Sequence, residues 1–212
     1  DARRACLYVA DTGNNGRRRE MLTVYVVREP DPAEPGRVLD PIGRMRYRYP
    51  DEPRDAEALA LGPEGDLVIV TKGRAREILL FHLTPDEVRD AVKSDTVIRL
   101  PAGRPLPFRP DWILGRTVTG ASFRPSGSTL AIRTYTEVYF LPWPWTEGRS
   151  EPLPSCFLGE LDLGGEAVGY AEDGSLWLTA EANPRRPATL SRVRCPDGPG
   201  TAPSDPSPAS RR

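Results

Sequence analysis

One pattern restricts the fold more than any other: a hairpin written three times. "AEALALGPEGDLVIVTK" (56–72), "TGASFRPSGSTLAIRTY" (119–135) and "GEAVGYAEDGSLWLTAE" (165–181) each begin with small and apolar residues. Each then turns at a glycine, Gly65, Gly127 or Gly174, and runs on into a second apolar strand, "DLVIV", "TLAIR" or "SLWLT". A glycine closing a short loop between two alternating runs is the signal of a β-hairpin, because it accepts positive φ at little cost. A further strand-like run follows each hairpin: "EILLFHL", "EVYFLPW" and "TLSRVRC". The N-terminal "CLYVADTGNN…LTVYVV" reads as the same unit without its first strand, and the alternating "RMRYRY" (44–49) suits a solvated outer strand.

The units start about 63 and 46 residues apart. Short antiparallel strands repeating on that scale predict an all-β fold, a β-propeller whose blades pack face to face. An insert accounts for the longer interval. In "TPDEVRDAV", Thr84 is an N-cap, Pro85 fills the first helical position and Glu87 completes a capping box, so a short helix is expected over 85–92. "LPAGRPLPFRPDW" (100–112) reads as a proline-rich connector. Residues 1–195 are thus blade material, and 196–212, rich in Pro and Ser with little to bury, is expected to be a disordered tail. About four blades are represented, the first lacking its inner strand. An open ring would leave bare sheet edges, so the reading is an N-terminally truncated piece of a larger propeller.

Composition removes some function classes. Formal net charge is -1, without the basic excess that a nucleic-acid partner calls for. No apolar run approaches the ~18 residues of a membrane span. A single His82 and three cysteines without a CxxC pair give no zinc pattern, and a Ser–His–Asp site would rest on His82 alone. Cys156 and Cys195 flank the last repeat and either form a disulfide or remain free.

The segments "LYVADTGNNGRRREMLTVYVVREP", "YPDEPRDAEALALGPEGDLVIVTK", "VTGASFRPSGSTLAIRTYTEVYF" and "GGEAVGYAEDGSLWLTAE" resemble a group of bacterial, mostly actinobacterial, exported β-propeller proteins. Their inner strands carry a motif of the type "DAEAL" and their second strands one of the type "VADIGDN". The resemblance spans residues 5–194 and implies a propeller fold, export and further blades ahead of "LYVAD". Asn14 stands where that group has Asp, and "TAEANPRRPA" stands where it has a compact turn. A more distant likeness, to the gluconolactonase and regucalcin propellers, implies a divalent metal held at the channel mouth by a Glu that opens an inner strand. Glu57 and Glu166 occupy equivalent places, Thr119 is the matching residue between them, and Asp11, Asn14 and Asn15 in "DTGNN" offer further oxygens.

Two readings therefore stand for the charged residues. Glu57, Glu166, Asp11 and Asn14 are candidate ligands for Ca²⁺ or Mg²⁺, which favour carboxylate and carbonyl oxygens. Alternatively the two glutamates bond backbone amides or pair with Arg, holding neighbouring blades in register. Asp55, Lys72, Arg133 and Glu181 are candidate ligand-binding residues of a mixed-charge funnel suited to an anionic or sugar-like ligand; the competing reading is ion pairing across blades. The functional expectation is an extracytoplasmic, secreted binding module for a small molecule or protein. The alternative is a metal-dependent hydrolase of a lactone or phosphoester, and the residues do not decide whether the chain is an enzyme.

Overall fold

The computed structural model describes residues 6–34, 36–73, 77–108, 112–145, 154–159, 164–184 and 186–195. The fold is all-β, in four sheets with one α-helix among the described residues. Strands β1 (Cys6–Asp11), β2 (Leu22–Arg28) and β3 (Gly43–Arg48) form an antiparallel meander. The second sheet begins with β4 (Ala56–Leu61), β5 (Leu67–Thr71) and β6 (Leu79–Leu83). Helix α1 (Pro85–Ser94) follows, and then β7 (Val97–Arg99), which returns to the first sheet and pairs in parallel with β3. β8 (Arg104–Pro105) completes the second sheet beside β6. The third sheet is β9 (Val118–Phe123), β10 (Thr129–Thr134), β11 (Glu137–Pro142) and β12 (Ser155–Phe157). The fourth is β13 (Gly165–Tyr170), β14 (Leu176–Ala180) and β15 (Thr189–Val193).

Each of the three repeats becomes a hairpin, β4–β5, β9–β10 and β13–β14, turning at Gly65, Gly127 and Gly174 with φ of +98°, +74° and +78°. α1 starts as its sequence predicts: Thr84 accepts from the Glu87 amide, and the Glu87 carboxylate accepts from the Thr84 amide. The helix runs two residues beyond the expected 85–92, to Ser94.

Consecutive sheets share cores. Leu22, Val24, Met45 and Tyr47 of the first sheet meet Leu67, Ile69 and Phe81 of the second, roofed by Val88 and Ala91 of α1. Val68, Val70 and Leu80 meet Leu130, Ile132 and Leu141 between the second and third. Ala131, Val138 and Phe140 meet Val168, Leu176 and Leu178 between the third and fourth. One residue set of each strand faces the preceding sheet and the other the following sheet, which is why β5 and β10 are apolar on both faces.

Two expectations need correction. The "RMRYRY" strand is not a solvated outer strand: Met45 and Tyr47 are buried, the latter at 0% exposure, and β7 lies beyond it. Its alternation is real, but α1 and the second sheet cover the apolar face while the arginines take the other. The connector over 100–112 is also more than a spacer. Leu106 and Phe108 enter the core between the second and third sheets, where Phe108 stacks on Tyr139 with ring centroids 4.1 Å apart.

β4, β9 and β13 lead their sheets, and β9 lies against both of the others. At Gly120 an added Cβ would stand 3.0 Å from the Glu166 carbonyl oxygen and 3.1 Å from the Val168 nitrogen, so glycine is what lets β9 and β13 approach. Among the described residues no strand precedes β1 in its sheet, and Leu7 and Val9 are 43% and 49% exposed. Cys156 on β12 and Cys195 beyond β15 form a disulfide with Cα atoms 5.5 Å apart, joining the outer margins of the third and fourth sheets. Cys6, at the start of β1, is a free thiol and is exposed.

A candidate binding site at three strand bulges

The register of all three leading strands slips at the same place. Ala56 faces Thr71 but Ala58 faces Val70, so Glu57 is one residue too many. Val118 faces Thr134 while Gly120 faces Arg133, which makes Thr119 the extra residue. Gly165 faces Ala180 while Ala167 faces Thr179, and Glu166 is extra. A bulge of this kind breaks the alternation of the strand and re-aims one side chain. Small residues flank each bulge: Ala56 and Ala58, Gly120, and Gly165 and Ala167. Three leading strands that lie side by side thus present Glu57, Thr119 and Glu166 from matching positions.

The charges around these bulges have different fates. The Lys72 ammonium is nearly buried and donates to Glu57. The Lys72 backbone also joins the elements: its amide donates to the Asp55 carbonyl at 2.9 Å, and its carbonyl accepts from Val118 at 3.0 Å. A buried ammonium keeps its charge only with such a partner, so this pair is a strut between β4 and β5. Arg133 is 0% exposed, and its Nη1 donates to the Ala167 carbonyl at 2.6 Å and the Thr179 carbonyl at 2.8 Å. The guanidinium lies where Gly165 has no side chain: an added Cβ there would be 1.8 Å from Nη2. Arg133 therefore ties the third sheet to the fourth and does not line a funnel mouth. By register it matches Val70 and Thr179, and the residue that matches Lys72 and Glu181 is Tyr135.

Glu166 is different. Burial raises its pKa above the ordinary carboxylate value, and Glu181 and then Glu57 push it further the same way, against the pull of Lys72 and Arg133. Among the described residues its carboxylate has neither a hydrogen bond nor an ion pair. Glu181 is exposed, and its amide donates to the Gly164 carbonyl at 3.0 Å. Thr119 is 3% exposed, and its hydroxyl has no hydrogen-bond partner among the described residues. A buried hydroxyl without a partner costs about 1–3 kcal/mol; the Tyr47, Tyr49 and Tyr170 hydroxyls are the others among the described residues, and none of these lies on a leading-strand bulge.

The remaining candidates belong to a neighbouring loop. Asp55 Oδ1 accepts from the Asn14 amide at 2.6 Å. Asn14 is buried, donates to the Arg19 carbonyl at 2.9 Å and accepts from the Arg19 amide at 3.1 Å. Asp11 is held by both Arg19 guanidinium nitrogens at 2.7 Å, which lowers its carboxyl pKa. These contacts close the 11–20 loop on itself. Asp55 and Lys72 line a cleft of about 70 Å³ beside it, together with Asn15, Arg17, Arg54 and Glu77. Among the described residues, no three His, Cys, Asp or Glu side chains, Glu57, Glu166 and Asp11 included, stand close enough to hold a metal ion, and the Asn14 side chain is taken up by the Arg19 backbone.

His82 sits on β6, with Nε2 2.9 Å from Asp66 Oδ1 and its ring edge-on to Trp143. Trp143 also packs on Phe123, and Trp145 is buried under Arg104, so the "PWPW" tryptophans pack between sheets. Among the described residues, no helix is long and apolar enough to cross a membrane.

No protein-family model and no curated protein matches the chain. Solved structures that resemble it include a protein of unknown function from Bacteroides caccae, at 11% identity and a TM-score of 0.42. That likeness covers 90% of this chain and 58% of the other. A catalytically inactive virginiamycin B lyase from Staphylococcus aureus, with quinupristin, is similar at 10% identity and a TM-score of 0.43, covering 90% of this chain and 56% of that one. The chain thus spans less than two thirds of the length of either.

Proposed function

We propose that the four sheets are blades of a β-propeller and that the chain is the ligand-binding part of an extracytoplasmic protein, its site at the bulged ends of the leading strands. Meander sheets that stack in chain order, each sharing one core with the next, support the propeller reading. The observation that carries the binding reading is the threefold bulge: three strands depart from regular pairing at one level, and the residues re-aimed there are two acids and a hydroxyl. If the carboxylates served only to hold sheets in register, Glu166 would be bonded as Glu57 is, yet it is not. The Cys156–Cys195 disulfide supports a setting outside the reducing cytoplasm.

A metal-dependent hydrolase would need several oxygens around one point, and Glu57 and Asp11 are already engaged by Lys72 and Arg19. Among the described residues, no group of three His, Cys, Asp or Glu side chains favours that reading. The binding reading is tested by mapping a library of small polar fragments with amide chemical shifts on the full chain. Hits are expected to move the amides of Thr119, Gly120, Glu166 and Glu181. Hits confined to the outer strands or to the 11–20 loop would overturn the reading.

A further inference from the structure

The charge balance of the bulge site points to the chemical class of its ligand; this step rests on the site proposed above. Among the described residues, the two cations that pull on Glu166 are both engaged: Lys72 is spent on Glu57, and Arg133 has no exposed surface and donates to the Ala167 carbonyl. Neither can greet an anion from solvent. What remains open is Glu166, half-buried without a partner, and exposed Glu181 close enough to repel it. The bulge gives Thr119 the same place on β9 that Glu57 has on β4 and Glu166 on β13, so its buried, unpartnered hydroxyl belongs to the same constellation. This unpartnered hydroxyl, on a residue 3% exposed, is an observation independent of the two acids.

We propose that the site binds an organic ammonium group, held between the Glu166 and Glu181 carboxylates, with the Thr119 hydroxyl bonding a polar atom next to the charged nitrogen. Such a group relieves the carboxylate repulsion and forms charge-assisted hydrogen bonds in a half-buried place, where they are strongest. An anionic or purely neutral ligand would leave the two acids unneutralised. This reverses the charge preference expected from a mixed funnel, because that expectation counted Lys72 and Arg133 as accessible.

Three probes of nearly equal size separate the classes: ethanolamine as its ammonium ion, ethylene glycol and glycolate. Each is titrated into the full chain at constant ionic strength, with amide shifts as readout. Ethanolamine should saturate with shifts at Thr119, Glu166 and Glu181, while the other two should not. Glu166→Gln should weaken ethanolamine binding at least fivefold and Thr119→Val about threefold. Both variants should fold, since Glu166→Gln removes a charge without an ion-pair partner and Thr119→Val removes a hydroxyl without a hydrogen-bond partner. Thr119→Val should also be at least as stable as the parent, which a hydroxyl with a structural role would forbid. Ethanolamine binding unchanged in Glu166→Gln overturns the ammonium proposal. Saturation by glycolate or ethylene glycol at these amides overturns the charge class and leaves the site standing. If none of the three probes saturates there and mapped fragments bind elsewhere, both readings fall. Calcium ion displacing ethanolamine at micromolar concentration would replace the ammonium with a metal.

Discussion

Replacing Gly165 with alanine tests the relation between Arg133 and the fourth sheet. The new methyl would sit 1.8 Å from Arg133 Nη2 and 2.4 Å from Cζ, so the guanidinium must leave. With it go the bonds to the Ala167 and Thr179 carbonyls, each worth about 1.5–3 kcal/mol as a hydrogen bond to a charged group. Arg133 is 0% exposed, so the guanidinium leaves a buried place. Breaking a buried charge away from its partners costs about 3–5 kcal/mol, and we expect Gly165→Ala to lose that much. Thermal unfolding should fall on the order of 10 °C for a chain of this size. The control is a double-mutant cycle with Arg133→Met, measured by urea denaturation. Without the guanidinium, Gly165→Ala should cost less than about 1 kcal/mol, since the backbone gain from Gly to Ala is itself up to about 1 kcal/mol. The coupling energy should then exceed ~2 kcal/mol. An equal cost in both backgrounds would refute the argument that Gly165 exists to seat Arg133.

Two further outcomes follow from the same geometry. Opening the Cys156–Cys195 link by Cys156→Ser frees a loop of 39 residues and should cost about 4 kcal/mol on the chain-entropy model, read as a lower urea midpoint. Because burial and Glu181 raise the Glu166 pKa, its ionised form opposes folding. The penalty is present at neutral pH and vanishes as pH falls through the raised value, so Glu166→Gln should stabilise the protein at pH 7 by less than ~1 kcal/mol, solvent screening included. Below pH 4 variant and parent should melt together, and a gain that persists there would exclude this cause.

Much of the architecture was legible because it rests on local rules. The hairpins followed from alternation and turn glycines, and the Thr84–Pro85–Glu87 signature located the start of α1 to the residue. Residues whose roles depend on distant partners were not legible. Arg133 looked like a strand-end charge, but its burial is decided by the missing side chain of Gly165, which lies 32 positions later in the chain. The bulges are invisible in a repeat alignment, since one extra residue in a leading strand looks like ordinary alternation until its partner strand is known. Even so, the small residues that flank Glu57 and Glu166 were a sign that could have been used. The "VIR" segment is too short to announce a strand at all. Its partner, β3, lies about fifty residues earlier, with β4, β5, β6 and α1 between them.

That short strand has a consequence for how the molecule comes apart. Since β7 leaves the second sheet's stretch of chain to finish the first, neither of these two sheets can peel away without unzipping its neighbour. The third and fourth are fastened separately, by sulfur at their rims and by a guanidinium within. Amide protons should therefore exchange in two blocs, front pair and rear pair, with the seam running between β4 and β9, so that Thr119 and Glu166 exchange with the rear bloc and Glu57 with the front.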